Sequence, residues 1–234
     1  IMSSIAGEAG LFDMPFLVKD RAHLNRIEHK IFWPMIAPAI EKKGYQVIGF
    51  WENGIRHISN NVRPINTPDD LKGVKIRTPK STWRVKMFSA WGANPTPMAF
   101  SEVFVGLQTG VIDGQENPLT NIYAAKLNEV QKYLSLTGHV YTPSYLTTGA
   151  AQWKKLPADV RAILEKTARD VQGWMYAMGT QDDMKLLEKL KASMEINVAD
   201  RAAFVKASKP IYEEFGKEVA TGNQMIDMAL QLAD

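Results

Sequence analysis

The chain has 234 residues, 45% of them hydrophobic, and a net charge of +3. That length and apolar content can hold one large domain or two small ones, and basic residues scattered without a long run exclude a nucleic-acid stripe and a polybasic membrane patch. The absence of cysteine excludes a disulfide frame and a thiolate metal site, and no apolar run reaches membrane-spanning length.

Over 19–43 the apolar residues Leu24, Ile27, Ile31, Met35, Ile36 and Ile40 recur at helical spacing. Gly44 stops that pattern, and Pro34 marks a break or a second helix start. Residues 46–51 read as a buried strand, and after an Asn53-Gly54 turn 55–59 reads as a second one. Thr67-Pro68-Asp69-Asp70 combines a cap residue, proline at the first helical position and two acids in the first turn, which predicts a short helix. It leads into a strand ending at Arg77. Ser81 caps a helix through Trp91, stopped by Gly92; Ser101 caps another through Thr109, stopped by Gly110. This alternation of strands and helices is the α/β pattern.

From 157 to 191 no proline interrupts a rough helical period. One continuous helix there would run about 50 Å at 1.5 Å per residue, with Gly173 and Gly179 offering a kink as the rival reading. Residues 194–198 read as a strand, and Asp200 caps a helix running toward Glu218, with Pro210 as a kink point.

Arg77 is the most informative side chain. It closes the apolar run Val74-Lys75-Ile76 just before Thr78-Pro79, so a rigid strand end presents its guanidinium where the backbone turns. A guanidinium meets a carboxylate in a planar two-bond geometry that lysine cannot reproduce. Signs of catalysis are weak by comparison. Asp113 and Glu116 are close in sequence, but one short turn does not set two carboxylates on opposite sides of a substrate; they read as acids that cap or brace the loop. His23, His29, His57 and His139 form no metal-ligand spacing, and there is no nucleophile elbow, phosphate loop or dinucleotide glycine signature.

Several segments, in order and almost end to end, carry a family resemblance. They are F-D-M-P-F-L (12–17), W-E-N-G-I-R (51–56), L-K-G-V-K-I-R-T-P (71–79) and G-A-N-P-T-P-M-A-F-S-E-V (92–103). D-G-Q-E-N-P-L (113–119), E-V-Q-K-Y-L (129–134) and the helix start at Leu156-Pro157 complete the set. Together they resemble the substrate-binding proteins of tripartite ATP-independent periplasmic (TRAP) transporters, which include dicarboxylate and sialic-acid receptors.

The resemblance implies an α/β periplasmic binding protein fold of two lobes, braced by one long helix and closing on an organic acid. Lobe I would comprise 1–53 and 143–182, and lobe II 54–142 and 183–234. The crossovers would lie near 51–54, near 141–143 and within the long helix. It also implies a strand-helix-strand segment of lobe I ahead of residue 1 that this chain lacks. The implied function is a periplasmic receptor that hands a carboxylate ligand to TRAP permease subunits, as a monomer, without catalysis, cofactor, metal or nucleic acid. C4-dicarboxylates, sugar acids, aromatic acids and keto acids all offer the required group.

Carried over residue by residue, Arg77 matches the arginine that clamps the ligand carboxylate, and Asn117 a residue that hydrogen-bonds it. Arg56 matches a second arginine near the ligand, and Phe100 an aromatic pocket wall. Lys80 would contact a second acidic or hydroxyl group or stay solvated, and Trp51 would line the cleft or simply pack. The plainer readings are a surface charge or an aspartate partner for Arg77, a strand-surface charge for Arg56, a turn for Asn117-Pro118 and core for Phe100. Two other functions fit the same scaffold: an enzyme acting on a small organic acid, and a binding protein of another import system.

Overall fold

In the computed structural model, which describes residues 2–233 and all their side chains except those of 180–182, the helical pattern at 19–43 becomes three segments. Helix α1 (Arg21–Ile27) is followed by a π-helical stretch (Glu28–Ile36) and α2 (Ala37–Lys42). Asp20 starts α1 by accepting the His23 backbone N–H at 2.7 Å, which satisfies one of the orphan donors of the first turn. Pro34 lies inside the π-helical stretch. It has no N–H to give and its ring clashes with a tight helical turn, so the wider turn accommodates it without a break.

Strand β1 (Tyr45–Asn60) is continuous through Asn53-Gly54, which corrects the expected turn. Gly54 adopts φ +126°, and the pairing register slips between Glu52 and Gly54. The glycine therefore makes a bulge. Both halves of β1 find the same antiparallel partner, the long strand β5 (Tyr133–Gly149), so no hairpin can form at the dipeptide.

Between these two strands lie β2 (Lys75–Thr78), α3 (Thr82–Ala90), β3 (Asn94–Pro97), α4 (Val103–Gln108), β4 (Gly114–Pro118) and α5 (Leu119–Ala124). The expected short helix at 67–70 is a 3₁₀ turn (Pro68–Leu71), where the Asp70 carboxylate accepts the Thr67 N–H at 2.9 Å. Ser81 caps α3 as the sequence predicts. Ser101, expected as a cap, sits instead inside a 3₁₀ turn (Phe100–Glu102) that leads into α4, because Glu102 takes the Ala99 N–H at 3.1 Å. Helices α6 (Ala150–Lys155) and α7 (Ala158–Lys191), strand β6 (Glu195–Val198), α8 (Arg201–Ala207), α9 (Lys209–Glu218) and α10 (Gly222–Gln231) complete the chain. The predicted helix after Asp200 is two helices joined at Ser208.

The sheet has six strands in the order β3-β2-β4-β1-β5-β6. Strand β2 is parallel to β3 and β4, β6 is parallel to β5, and β1 is antiparallel to both its neighbours.

Helix α7 runs unbroken for 34 residues through both glycines. It lies along β1, where the Trp51 indole N–H donates to the Ala168 carbonyl at 2.9 Å. The helix touches two apolar clusters. The larger one gathers Phe12, Phe32 and Phe50 with Trp91, Phe204 and Phe215, and Tyr176 of α7 packs against it. The smaller one gathers Val103, Leu107, Ile112, Ile122 and Leu134 with Leu190 of α7. The larger cluster joins segments expected in different lobes: α10 packs behind α1, with the Arg26 side chain donating to the Leu232 carbonyl at 2.6 Å.

Proline in place of Ala168, which is 2% exposed, removes a helical hydrogen bond and clashes with the preceding turn. We expect a loss of about 3 kcal/mol or more, read by chemical denaturation. Unchanged stability would argue against a rigid helix at this position.

Candidate functional site

The site is assembled where β2, β4 and β1 meet. Arg77 and Gln115 are register partners in the parallel β2–β4 pair. Arg56 stands opposite Pro118, and His57 opposite Asn117, in the antiparallel β1–β4 pair. Strand β4 is buried along its whole length. Gly114 begins it because a Cβ there would sit 2.4 Å from the Ser59 carbonyl oxygen. The close strand approach that follows draws Glu116 and Asn117 in beside Arg56.

A cavity of about 320 Å³ opens at this junction. Arg56, Arg77, Arg84, Phe100, Asn117 and Asp13 face it, and neutral polar groups from Asn53, Asn121, Thr142 and Tyr145 share the wall with Met2 and two prolines.

Arg77 is 4% exposed. Its Nε and Nη2 donate to the Met98 carbonyl at 3.0 and 2.7 Å, and its guanidinium lies 5.7 Å from the centre of the Phe100 ring. Among the described residues it has no carboxylate within ion-pair distance, and Nη1 makes no hydrogen bond. Burial pushes its pKa down to about 10, opposed by the charge of Glu116 and reinforced by that of Arg56. Arg77 is therefore a desolvated cation with no anion of its own.

Arg56 is already paired. Its Nε meets Glu116 Oε2 at 2.5 Å, and its Nη2 meets Glu116 Oε1 at 2.9 Å and Asn117 Oδ1 at 3.0 Å. Glu116 is fully buried and also receives Arg84 Nη1 at 3.0 Å. Burial alone would raise its pKa, but the guanidiniums of Arg56 and Arg84 hold it well below the usual carboxylate range. An ionised carboxylate can only accept, so His139 donates Nε2–H to Glu116 at 3.0 Å and takes the Thr137 hydroxyl proton on Nδ1 at 2.7 Å. Burial lowers the His139 pKa to about 4 despite the pull of Glu116, so the imidazole is neutral near pH 7. Arg84 then reaches Asp13 through Nε at 3.0 Å, and the other oxygen of Asp13 accepts the Ser3 and Ser81 hydroxyls at 2.8 and 2.7 Å.

Of the six residues expected at the site, Arg77, Arg56, Asn117 and Phe100 are brought together around this cavity. Asn117-Pro118 ends a strand rather than forming a turn, and the Asn117 Nδ2 donates to Gln115 Oε1 at 2.6 Å. Phe100 is a wall, 44% exposed, and not a core residue. Lys80 and Trp51 do not line the cavity. Lys80 follows Pro79 around the turn and is solvent-exposed, while the indole of Trp51 is held against α7 by its bond to Ala168. Glu116, read in the sequence as an acid that caps or braces its loop, lies inside β4 and neutralises Arg56 and Arg84. Arg84 and Asp13 were missed. A signal existed: Arg84 lies three and four residues before Met87 and Phe88 on the buried face of α3, and a cation in an apolar stripe requires a partner.

The family described as bacterial extracellular solute-binding protein, family 7 (DctP), matches residues 1–218. The 2,3-diketo-L-gulonate-binding periplasmic protein YiaO of Escherichia coli K12 is 36% identical over 219 residues, covering 92% of this chain and 67% of that protein. A TRAP periplasmic solute-binding protein from Polaromonas sp. JS666 bound to D-erythronate superposes with a TM-score of 0.93 at 32% identity, covering 98% of this chain and 76% of the other. Another, from Sulfurospirillum deleyianum DSM 6946 with bound succinate, gives 0.92 at 32% identity over 99% of this chain and 77% of the other. The chain spans about two thirds of the length of the curated relatives it matches, 64% and 67% of the first two.

Proposed function

We propose that this chain, which belongs to the bacterial extracellular solute-binding protein family 7, serves a periplasmic receptor that captures an organic acid anion for a TRAP-type permease. One observation carries this reading: Arg77 is a buried guanidinium facing a cavity, with a carbonyl and a ring for company and no carboxylate partner among the described residues. A buried cation is costly until an anion meets it, and a ligand carboxylate supplies that anion in the geometry a guanidinium favours.

The acids near the cavity are committed elsewhere. Glu116 serves Arg56, Arg84 and His139, and Asp13 serves Arg84, Ser3 and Ser81. Oxygens spent on these partners favour binding over proton transfer at this site.

The same geometry supports a closing receptor. Asn53, Thr142 and Pro143 of the cavity wall lie where β1 and β5 slip register at Gly54, a natural point of flexure between lobes divided near 53/54 and 142/143. Arg77 and Phe100 come from elements beyond that point. A ligand that touches both sides only in the shut state binds that state better and shifts the population toward it.

A thermal-shift screen of organic acids on the intact protein tests the receptor reading, since a ligand at 100 times its Kd adds about 2.7 kcal/mol of apparent stability. Small-angle scattering with the best acid is expected to show a smaller radius of gyration at unchanged mass. An acid that binds tightly without compaction would remove the hinge from the scheme and leave the carboxylate site in place.

A further inference from the structure

We propose that Ser59 and Gln131, neither of which lines the cavity, are positioning residues that set which end of the Asn117 amide meets the ligand. The inference rests on the receptor reading above and deepens it at Asn117. Four side chains, each at most 4% exposed, form one hydrogen-bonded file leading away from the cavity. Asn117 Nδ2 donates to Gln115 Oε1 at 2.6 Å, Gln115 Nε2 to Ser59 Oγ at 2.8 Å, and Ser59 Oγ to Gln131 Oε1 at 3.0 Å. Gln131 Nε2 ends the file on two backbone carbonyls, those of Val130 at 3.2 Å and Asp113 at 3.3 Å. The middle step is built into the sheet, because Ser59 and Gln115 are register partners in the β1–β4 pair.

A primary amide fits its slot either way round, so its neighbours must choose. Here the choice starts at the far end. A carbonyl can only accept, so Gln131 turns its NH2 to Val130 and Asp113 and its oxygen to Ser59. The Ser59 hydroxyl must then donate to that oxygen, which leaves its lone pairs for the NH2 of Gln115. Gln115 in turn presents its oxygen to Asn117, and Asn117 can meet an oxygen only with its own NH2. The other end of the Asn117 amide agrees: Oδ1 accepts from Arg56 Nη2 at 3.0 Å and from Asn121 Nδ2 at 3.3 Å. Asn117 Nδ2 spends one hydrogen on Gln115 and has a second for the carboxylate that Arg77 anchors. The reversed amide would turn an oxygen toward that carboxylate and repel it. Reversal is costly because buried polar groups that lose a partner are left unsatisfied, and each member of the file holds the next.

Calorimetry on the intact protein tests the file, with the tightest binder among succinate, gluconate, pyruvate and benzoate as the probe. Asn117→Ala is expected to weaken binding about tenfold or more, the loss of one hydrogen bond to a charged group. Ser59→Ala, which cuts the file two residues away, is expected to weaken it by at least about threefold. In the Asn117→Ala background the same Ser59→Ala exchange should change nothing further, because its effect passes through Asn117. General damage to the sheet would weaken both backgrounds alike. Gln131→Met keeps the side-chain length, removes both amide partners and should repeat the pattern if Ser59→Ala does not fold. Wild-type affinity in Ser59→Ala or in Asn117→Ala, or an equal loss with and without Asn117, overturns this inference while the receptor reading stands. Binding of none of the four acids, with none found in the thermal-shift screen, overturns both.

Discussion

Exchanging Arg77 for alanine is expected to weaken binding of the cognate acid by about 2–5 kcal/mol, roughly thirtyfold to several thousandfold in Kd. The fold should survive. Arg77 forms no ion pair among the described residues, and its two hydrogen bonds go to one backbone carbonyl, that of Met98. The loss is large because the guanidinium is buried, so the carboxylate it meets has given up its water and has nothing to replace Arg77 with. Lysine at this position keeps the charge but loses the planar fork, and a partial rescue is expected. Arg56→Ala should reduce affinity less directly, because Arg56 spends its nitrogens on Glu116 and Asn117. Calorimetry decides between these readings: near-native affinity in Arg77→Ala would place the ligand carboxylate elsewhere, and full rescue by lysine would show that charge alone suffices.

The largest effect on stability is expected at Glu116. Its carboxylate is fully buried and compensates Arg56 and Arg84 together, so Glu116→Gln leaves two desolvated guanidiniums without it. Breaking a buried pair in this way costs about 3–5 kcal/mol, or very roughly 2–4 °C of melting temperature for each kcal/mol in a chain of this size. The sign with pH follows from the depressed carboxyl of Glu116. Its stabilising contribution is complete above the ordinary carboxylate pKa of about 4.3 and fades as pH falls through the lower folded value. Wild type and Glu116→Gln should therefore differ most at neutral pH and converge in acid. A variant as stable as wild type at pH 7 would mean that Asp13 alone satisfies Arg84 and that Arg56 finds another partner.

Much of the fold was legible along the chain because it is enforced locally. Caps act within one turn, so Ser81 and Asp200 announced their helices. The long proline-free stretch became α7 because no glycine within it is asked to leave helical geometry. The Arg77 and Asn117 assignments came from motif resemblance, and both residues reach one cavity. Asn53-Gly54 misled because the dipeptide is as suited to a bulge as to a hairpin, and local preference cannot choose between them.

That choice belongs to β5, some eighty residues away, whose full length pairs both halves of β1. The Arg84–Asp13 bond, 71 residues apart in sequence, likewise exists only once α3 packs beside the N-terminal segment. The sequence by itself marked the helices that caps and periodicity enforce, among them α3 and α7, and placed an arginine near the end of a strand. Only the tertiary structure decided which arginines are already paired, because charge compensation depends on distance in space, and the chain's order carries no record of that distance.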